Sequence, residues 1–197
     1  MKRRSFIQLA AGAALVAGVA PLTVPARAAS KTIVYLTPGL DLPFWRYLSK
    51  GVESAAKAKG YEFLALDSRN NPQTQLQNAQ DSIAKGVAGI VISPTDSSTA
   101  PSVLELAKRA NIPVVVADIG TNSGDYVSFI ISNNYEGAKG VGVALAEALK
   151  KKGWESGSVG LITISQARKN GQARTQGFRD GLVEGGVKTK EAGLQQM

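Results

Sequence analysis

From Lys31 onward, short apolar runs alternate with stretches whose apolar residues recur every three or four positions. Thr32 to Thr37 (TIVYLT) is a run of β-branched and aromatic residues, which predicts a strand. After the loop Pro38 to Pro43, the residues Phe44, Leu48, Val52, Ala55 and Ala56 fall at helical spacing. The alternation then repeats. Tyr61–Asp67, Gly89–Ser93, Pro113–Ala117 and Tyr126–Ile131 read as strands. Leu76, Ala79 and Ile83, then Val103, Leu104, Leu106, Ala107 and Ala110, mark helices between them. Strand starts at 32, 61, 89 and 113 are 29, 28 and 24 residues apart. Such steps leave room for a crossover helix, so the strands are expected to be parallel. Gly89–Ser93 (GIVIS) is mostly apolar and calls for cover on both faces. The expected fold is α/β, a doubly wound parallel sheet.

Turn chemistry supports these boundaries. Gly60 and Gly86 stand where helices should stop, and Ser68–Pro72 forms a turn with proline just inside the next helix. At Ser132-Asn133-Asn134 the character changes. A long helix is expected over Tyr135–Lys152, a strand over Ser158–Ile164, a polar loop over Gln166–Gly171 and a helix over Ala173–Glu184. No strand is evident after Gly185-Gly186. Residues 29–133 are thus expected to form an N-terminal α/β lobe, and 134–197 an incomplete second α/β lobe.

The sequence pI of about 9.8 raises the question of a nucleic-acid partner. Lys2, Arg3, Arg4 and Arg27 lie in the first 28 residues, which hold no Asp or Glu; the rest carries 19 basic against 15 acidic residues, a net of +4. No basic stripe with interleaved aromatics is present, so no nucleic-acid partner is expected. Residues 1–28 read instead as an export signal peptide, with a basic start, an apolar stretch and Ala26-Arg27-Ala28 as the cleavage site. Arg3-Arg4-Ser5-Phe6-Ile7 resembles a twin-arginine signal, but Lys2 and Gln8 depart from it, so both that route and general secretion stay open. The apolar stretch is diluted by Gln8, Gly12, Gly18 and Pro21, which argues against a membrane anchor. There is no cysteine for a disulfide or lipid anchor, and a periplasmic location is expected.

Chemistry-bearing residues collect where open α/β sheets bind ligands, at the carboxyl ends of the strands. Asp41 lies in the first such loop, ahead of the adjacent aromatics Phe44 and Trp45. Asp96 follows the third strand and Asp118 ends the fourth. Aromatic faces can stack on the C–H faces of a sugar ring, and carboxylates can take up its hydroxyls. Each residue also has a plain structural reading. Phe44 or Trp45 can fill the core, Asp96 can cap the next helix, and Asp67 can serve its turn. Asp118 is harder to place structurally, because no helix follows it at once.

Other functions find little support. No G-x-G-x-x-G follows the first strand, and Gly137–Gly142 lies inside a helical pattern, where it suggests close packing. The chain has no histidine, so the usual general base and commonest metal ligand are missing. No cofactor, metal site or enzymatic activity is expected.

The segments PGLDLPFW (38–45), LDSRNNP (66–72), ISPTDS (92–97) and NIPVVVAD (111–118), in that order, resemble the ribose-type periplasmic sugar-binding proteins. These are the type 1 solute-binding components of ABC importers. The similarity covers nearly all of Lys31 to Gly181. It implies two α/β lobes that close on a sugar about a hinge, with Ser132-Asn133-Asn134 as the first crossing. It implies stacking by Phe44 and Trp45, a polar contact from Asp41 and a hydroxyl-binding carboxylate at Asp118. Gln172-Ala173-Arg174-x-x-Gly177-Phe178 resembles the segment that supplies an arginine, here Arg174, with Gln172 beside it. The implied partners are a monosaccharide or polyol and an ABC permease in the inner membrane. Ile119 and Leu42 stand where ribose binders usually carry Arg and Asn, which weakens ribose in particular. Members of the family run on further than Met197. A ligand sensor for a receptor or sensor kinase, and a non-functional truncated remnant, are the alternative readings.

Overall fold

The computed structural model describes residues 31–187 and 190–196; the expected signal peptide lies outside them. The elements run β1 (Thr32–Thr37), α1 (Pro43–Ala58), β2 (Glu62–Asp67), α2 (Pro72–Ala84), β3 (Gly89–Ile92), α3 (Ala100–Arg109), β4 (Val114–Ala117), β5 (Ser128–Ile130), α4 (Asn134–Lys151), β6 (Ser158–Thr163), α5 (Lys169–Glu184) and β7 (Lys190–Gln196). The first five strands form one sheet in the order β2-β1-β3-β4-β5, and every pairing in it is parallel.

Alternate residues of the central strands face opposite layers. Val34 and Leu36, Ile90 and Ile92, and Val114 and Val116 pack with Ala79 of α2 and with Val103, Leu104 and Ala107 of α3. Helix α1 lies on the other face, against β1 and β2. Its Phe44, Leu48, Val52 and Ala56 border an open groove floored by Ile33, Val91, Val115 and Ala117. The sheet is therefore doubly wound, as the apolar spacing requires. Helix starts follow local chemistry: α1 and α2 each have proline in the first turn, and Asn71 Oδ1 accepts from Thr74 N at 2.9 Å.

The second layer departs from expectation at its end. A strand, β7, pairs in parallel with β6 from Ser158↔Lys190 to Thr163↔Gln196. It is nearly all exposed, with only Leu194 partly buried, so it carries no apolar signal to announce it. Helix α5 also begins four residues earlier than the apolar spacing indicates, taking in Lys169, Asn170 and Gly171.

Helices α4 and α5 meet backbone to backbone. A Cβ on Gly177 would fall well inside contact with the carbonyl of Tyr135; one on Gly181 would strike that of Lys139, and one on Gly142 that of Phe178. The glycine run in α4 is thus a packing device, but only at Gly142. Gly137 and Gly140 face open space. Gly181→Ala should accordingly destabilise the chain by about 1–3 kcal/mol in urea unfolding, the usual cost of overpacking. Gly140→Ala should be neutral or stabilise by up to about 1 kcal/mol through helix propensity. Equal effects of the two would refute the close approach.

Candidate functional site

The carboxyl ends of β1, β3 and β4 share one rim, so their following loops are brought together. The rim is built from strained turns. Among the described residues, four non-glycine residues have positive φ: Arg69, Asn70, Asn111 and Asp118. All but Asn111 lie on this rim. Asp67 holds the first turn by accepting from Leu40 N at 3.1 Å and Arg69 N at 2.7 Å, so its role is structural. Asp96 accepts from Ser98 N and Ser98 Oγ, both at 2.6 Å. These bonds hold its pKa below the ordinary value. It orders the turn before α3 but does not cap that helix: the N-cap position belongs to Thr99.

Asp118 differs. Its φ is +62°, and Ile119 N donates to Ala117 O at 2.8 Å across it. An i to i+2 turn with positive φ at its centre is the rare, strained form. Strain of this kind collects at functional sites. Asp118 N still donates to Ile130 O at 2.8 Å, so the turn stays fastened to the sheet. The carboxylate is half-buried. Burial raises its pKa above the usual value, opposed by Arg174, Arg168 and the hydrogen bond from Asn170.

The groups opposite Asp118 come from the second layer. Asn170 Nδ2 donates to Asp118 Oδ2 at 2.9 Å. Arg168 Nε donates to Thr95 O at 3.0 Å, and its Nη2 bonds Asn70 Oδ1. Lys169 N donates to Ser97 Oγ at 3.0 Å, and Ser97 N to Ala167 O at 3.1 Å. The segment 167–170 thus clasps the loops after β2, β3 and β4 together. Arg174 Nε donates to Asn134 Oδ1 at 2.7 Å, which holds it beside the crossing from β5 to α4.

The predicted site residues are only partly assembled. Phe44 and Asp118 line the same groove, with Ile131 and Ser132. Phe44 is 54% exposed and available to stack. Trp45 is not. It is 6% exposed, does not line that groove, and meets Phe44 edge-on, with ring centroids 4.7 Å apart and planes at 79°. The two aromatics therefore do not present paired faces: adjacent helical residues point about 100° apart, and the core takes one of them. Asp41 is exposed and outside that groove; its carbonyl, rather than its carboxylate, is engaged, by Arg46 Nη1 at 2.6 Å. Gln172 is exposed, donates to Gln166 O at 2.8 Å and borders a groove with Lys169 and Asn170. Arg168 and Asn170 were not anticipated. The available signal was their position, in the polar segment after the carboxyl end of β6, the same topological place that marked Asp41, Asp96 and Asp118.

Chemically, the rim offers a carboxylate, two guanidinium groups, an amide and one exposed aromatic ring. This set can recognise hydroxyls. Among the described residues, no group of three or more acidic side chains could hold a metal ion, and no helix is long and apolar enough to cross a membrane.

A family model described as a periplasmic binding protein domain matches residues 33–196. The ribose import binding protein RbsB of Escherichia coli is 37% identical over 170 residues, covering 83% of this chain and 56% of the relative. The D-apiose import binding protein of Paraburkholderia graminis is 33% identical over 153 residues, covering 77% and 48%. The chain thus spans about half the length of these curated relatives. A carbohydrate transporter solute binding protein from Agrobacterium radiobacter, solved in complex with D-arabinose, shares the fold. Its TM-score is 0.76 at 24% identity, over 85% of this chain and 58% of that one.

Two tests follow. Trp45→Ala should cost about 3–5 kcal/mol of stability as a buried aromatic. Phe44→Ala should cost well under that; urea titrations of both would expose a reversed order. For Asp118 the sign follows from its raised pKa: the folded chain binds this proton more tightly than the unfolded chain. Stability is then greatest below the unfolded pKa and falls as pH rises through the folded value. Asp118→Asn should therefore stabilise the ligand-free protein near pH ~7, with a gain that shrinks towards pH ~3. Thermal melts across that range would contradict the assignment if the gain grew with acid.

Proposed function

The chain belongs to the periplasmic binding protein family, and from that premise we propose that it binds a monosaccharide or related polyol as the solute-binding component of an ABC importer. The ligand sits between the rim of residues 29–133 and the segment 166–174 of residues 134–197. The crossing at Ser132–Asn134 serves as a hinge, and export carries the protein to the periplasm. Binding involves no chemistry: closure presents the liganded form to a permease in the inner membrane.

One observation carries this reading. Asp118, strained and half-buried at the carboxyl-end rim, faces Arg168, Arg174 and Asn170 from the second layer. A carboxylate bonded to an amide and within the attraction of two guanidinium groups, on the groove that the exposed ring of Phe44 also lines, matches the needs of a polyhydroxylated ring. Phe44 supplies the apolar face, Asp118 accepts from hydroxyls, and Arg174 donates to the ring or hydroxyl oxygens. Asp41 and Gln172 lie at the periphery, where they meet only a larger ligand. Trp45 supports Phe44 from behind.

Isothermal titration of the purified protein with D-ribose, D-apiose, D-arabinose and myo-inositol tests the proposal. At least one should bind, and Asp118→Ala should weaken it by about 2–3 kcal/mol, on the order of 30- to 150-fold. Absence of binding by every sugar of this set, or unaltered affinity in the variant, would sink the assignment.

A further inference from the structure

The end of the second layer opposite the rim carries a surface of another kind. Helix α4 runs out in Lys150-Lys151-Lys152-Gly153-Trp154. Gly153, at φ +69°, makes the left-handed turn that stops it: Gly153 N donates to Lys150 O at 3.0 Å and Trp154 N to Leu149 O at 2.9 Å. The Trp154 ring is 58% exposed, and Lys152 Nζ stands 4.8 Å from its centroid. Two further segments meet this turn. Gly157 N donates to Trp154 O at 3.0 Å and Lys190 N to Gly157 O at 3.3 Å, which brings the start of β7 alongside. A Cβ on Gly186 would come 3.0 Å from Lys150 Nζ, so that ammonium lies over the turn after α5. Lys150, Lys151, Lys152 and Lys190 thus belong to one end of the layer, around one exposed indole.

The helix C-terminus accounts for part of this, since cations are favourable near its last carbonyls. It accounts neither for Lys190, which is on a strand, nor for an indole left in water. The four lysines enter no ion pair among the described residues. Glu191 is held at 2.7 Å by both Arg179 Nε and Nη2, which leaves Glu147 and Glu155 as the acids nearest in sequence. The patch is therefore basic. Lysine is depleted at protein–protein contacts, whereas lysines around a tryptophan suit a membrane surface, where the indole sits at headgroup level and the ammonium groups meet lipid phosphates. We propose that this end of the second layer docks on an anionic phospholipid surface, with Trp154 entering the headgroup region and the four lysines facing phosphates. The patch is at the amino end of β6, and the segment that meets the rim follows the carboxyl end of β6, so docking leaves the rim uncovered. The contact is peripheral and reversible, because it rests on charge and a single ring.

Fluorescence separates this surface from every other. The chain has two tryptophans, and Trp45 is 6% exposed. Neither lies in residues 1–28, so lipid contact by that segment is silent. The full chain is titrated at low ionic strength with phosphatidylglycerol–phosphatidylethanolamine vesicles carrying brominated acyl chains, and with phosphatidylcholine vesicles carrying the same chains. The anionic vesicles should quench and blue-shift the emission, the neutral ones should not, and about 0.5 M salt should reverse the effect. Trp154→Phe should remove the quenching. Lys150→Gln with Lys151→Gln should weaken partitioning about 30-fold. Lys57→Gln with Lys108→Gln, an equal loss of charge on the first layer, should leave it unchanged. Absence of quenching, equal quenching by neutral vesicles, quenching that survives Trp154→Phe, or equal losses in the two lysine pairs would each overturn the proposal. Sedimentation with the vesicles in the absence of quenching marks attachment through another segment and overturns it as well. An unquenched chain whose Lys150–Lys151 variant still impairs solute uptake in cells would assign the patch to a protein partner in place of lipid.

Discussion

Parallel pairing of β1 to β5 is the constraint on which the rest depends. Parallel strands must be joined by crossovers, and here α1, α2 and α3 provide the first three. Each crossover leaves from the carboxyl end of its strand, so the loops after β1, β2, β3 and β4 all collect on one rim. That rim is the natural place for polar groups, since the strands beneath it turn apolar residues to both faces, packed under α2 and α3 on one and flooring the open groove beside α1 on the other. The core cluster around Leu36, Ile92 and Val116 therefore does more than stabilise the sheet: it sets the height at which Thr37, Ser93 and Asp118 emerge.

Much of the rim is held by side chains of its own turns. Asp67 accepts two backbone N–H groups, Gln75 takes Thr95 N at 3.0 Å and donates to Ser93 O at 2.9 Å, and Asp96 closes its own loop. Asp118 stands apart. Its carboxylate is the one group whose surroundings raise the pKa of an acidic side chain among the described residues. The fold bears that cost through the sheet: Asp118 N and Ile119 N both keep backbone acceptors. Local strain, partial burial and a charge with partners on the opposite layer coincide there, which is the combination expected where stability has been traded for binding.

Apolar spacing made most of the first sheet legible. Its strand positions and the winding of helices on both faces follow from residues such as Val34, Ile90 and Leu104, whose burial is dictated by periodicity. Where burial does not decide, the sequence is mute. Strand β7 is held by backbone pairing to β6 with its side chains in water, so it lacks any apolar mark. Phe44 and Trp45 could not be separated by spacing, since both begin α1 and one helical step sends one inwards and the other outwards. Arg168 and Asn170 escaped notice because their contacts to Thr95, Asn70 and Asp118 span from 52 to 98 residues of chain, a separation that no local pattern encodes. Asp118 was legible by topology, as a carboxylate ending a buried strand with no helix immediately following.

Residues 167–170 clasp the rim through hydrogen bonds. Bonds of that kind contribute modestly when made, because water offers nearly equivalent partners when they part. A hydrophobic seal between the layers would resist opening more than such a polar clasp. The second layer, by contrast, is closely packed within itself, since α4 and α5 touch through the backbone at Gly142, Gly177 and Gly181. Any opening that carried α5 away from the rim would take Asn170 and Arg174 with it, since both belong to that helix. Were the layers to part, a small difference in affinity between the two arrangements would suffice for a ligand to shift their balance. For the proposed binding role, such a clasp would let the ligand itself supply what holds the layers together.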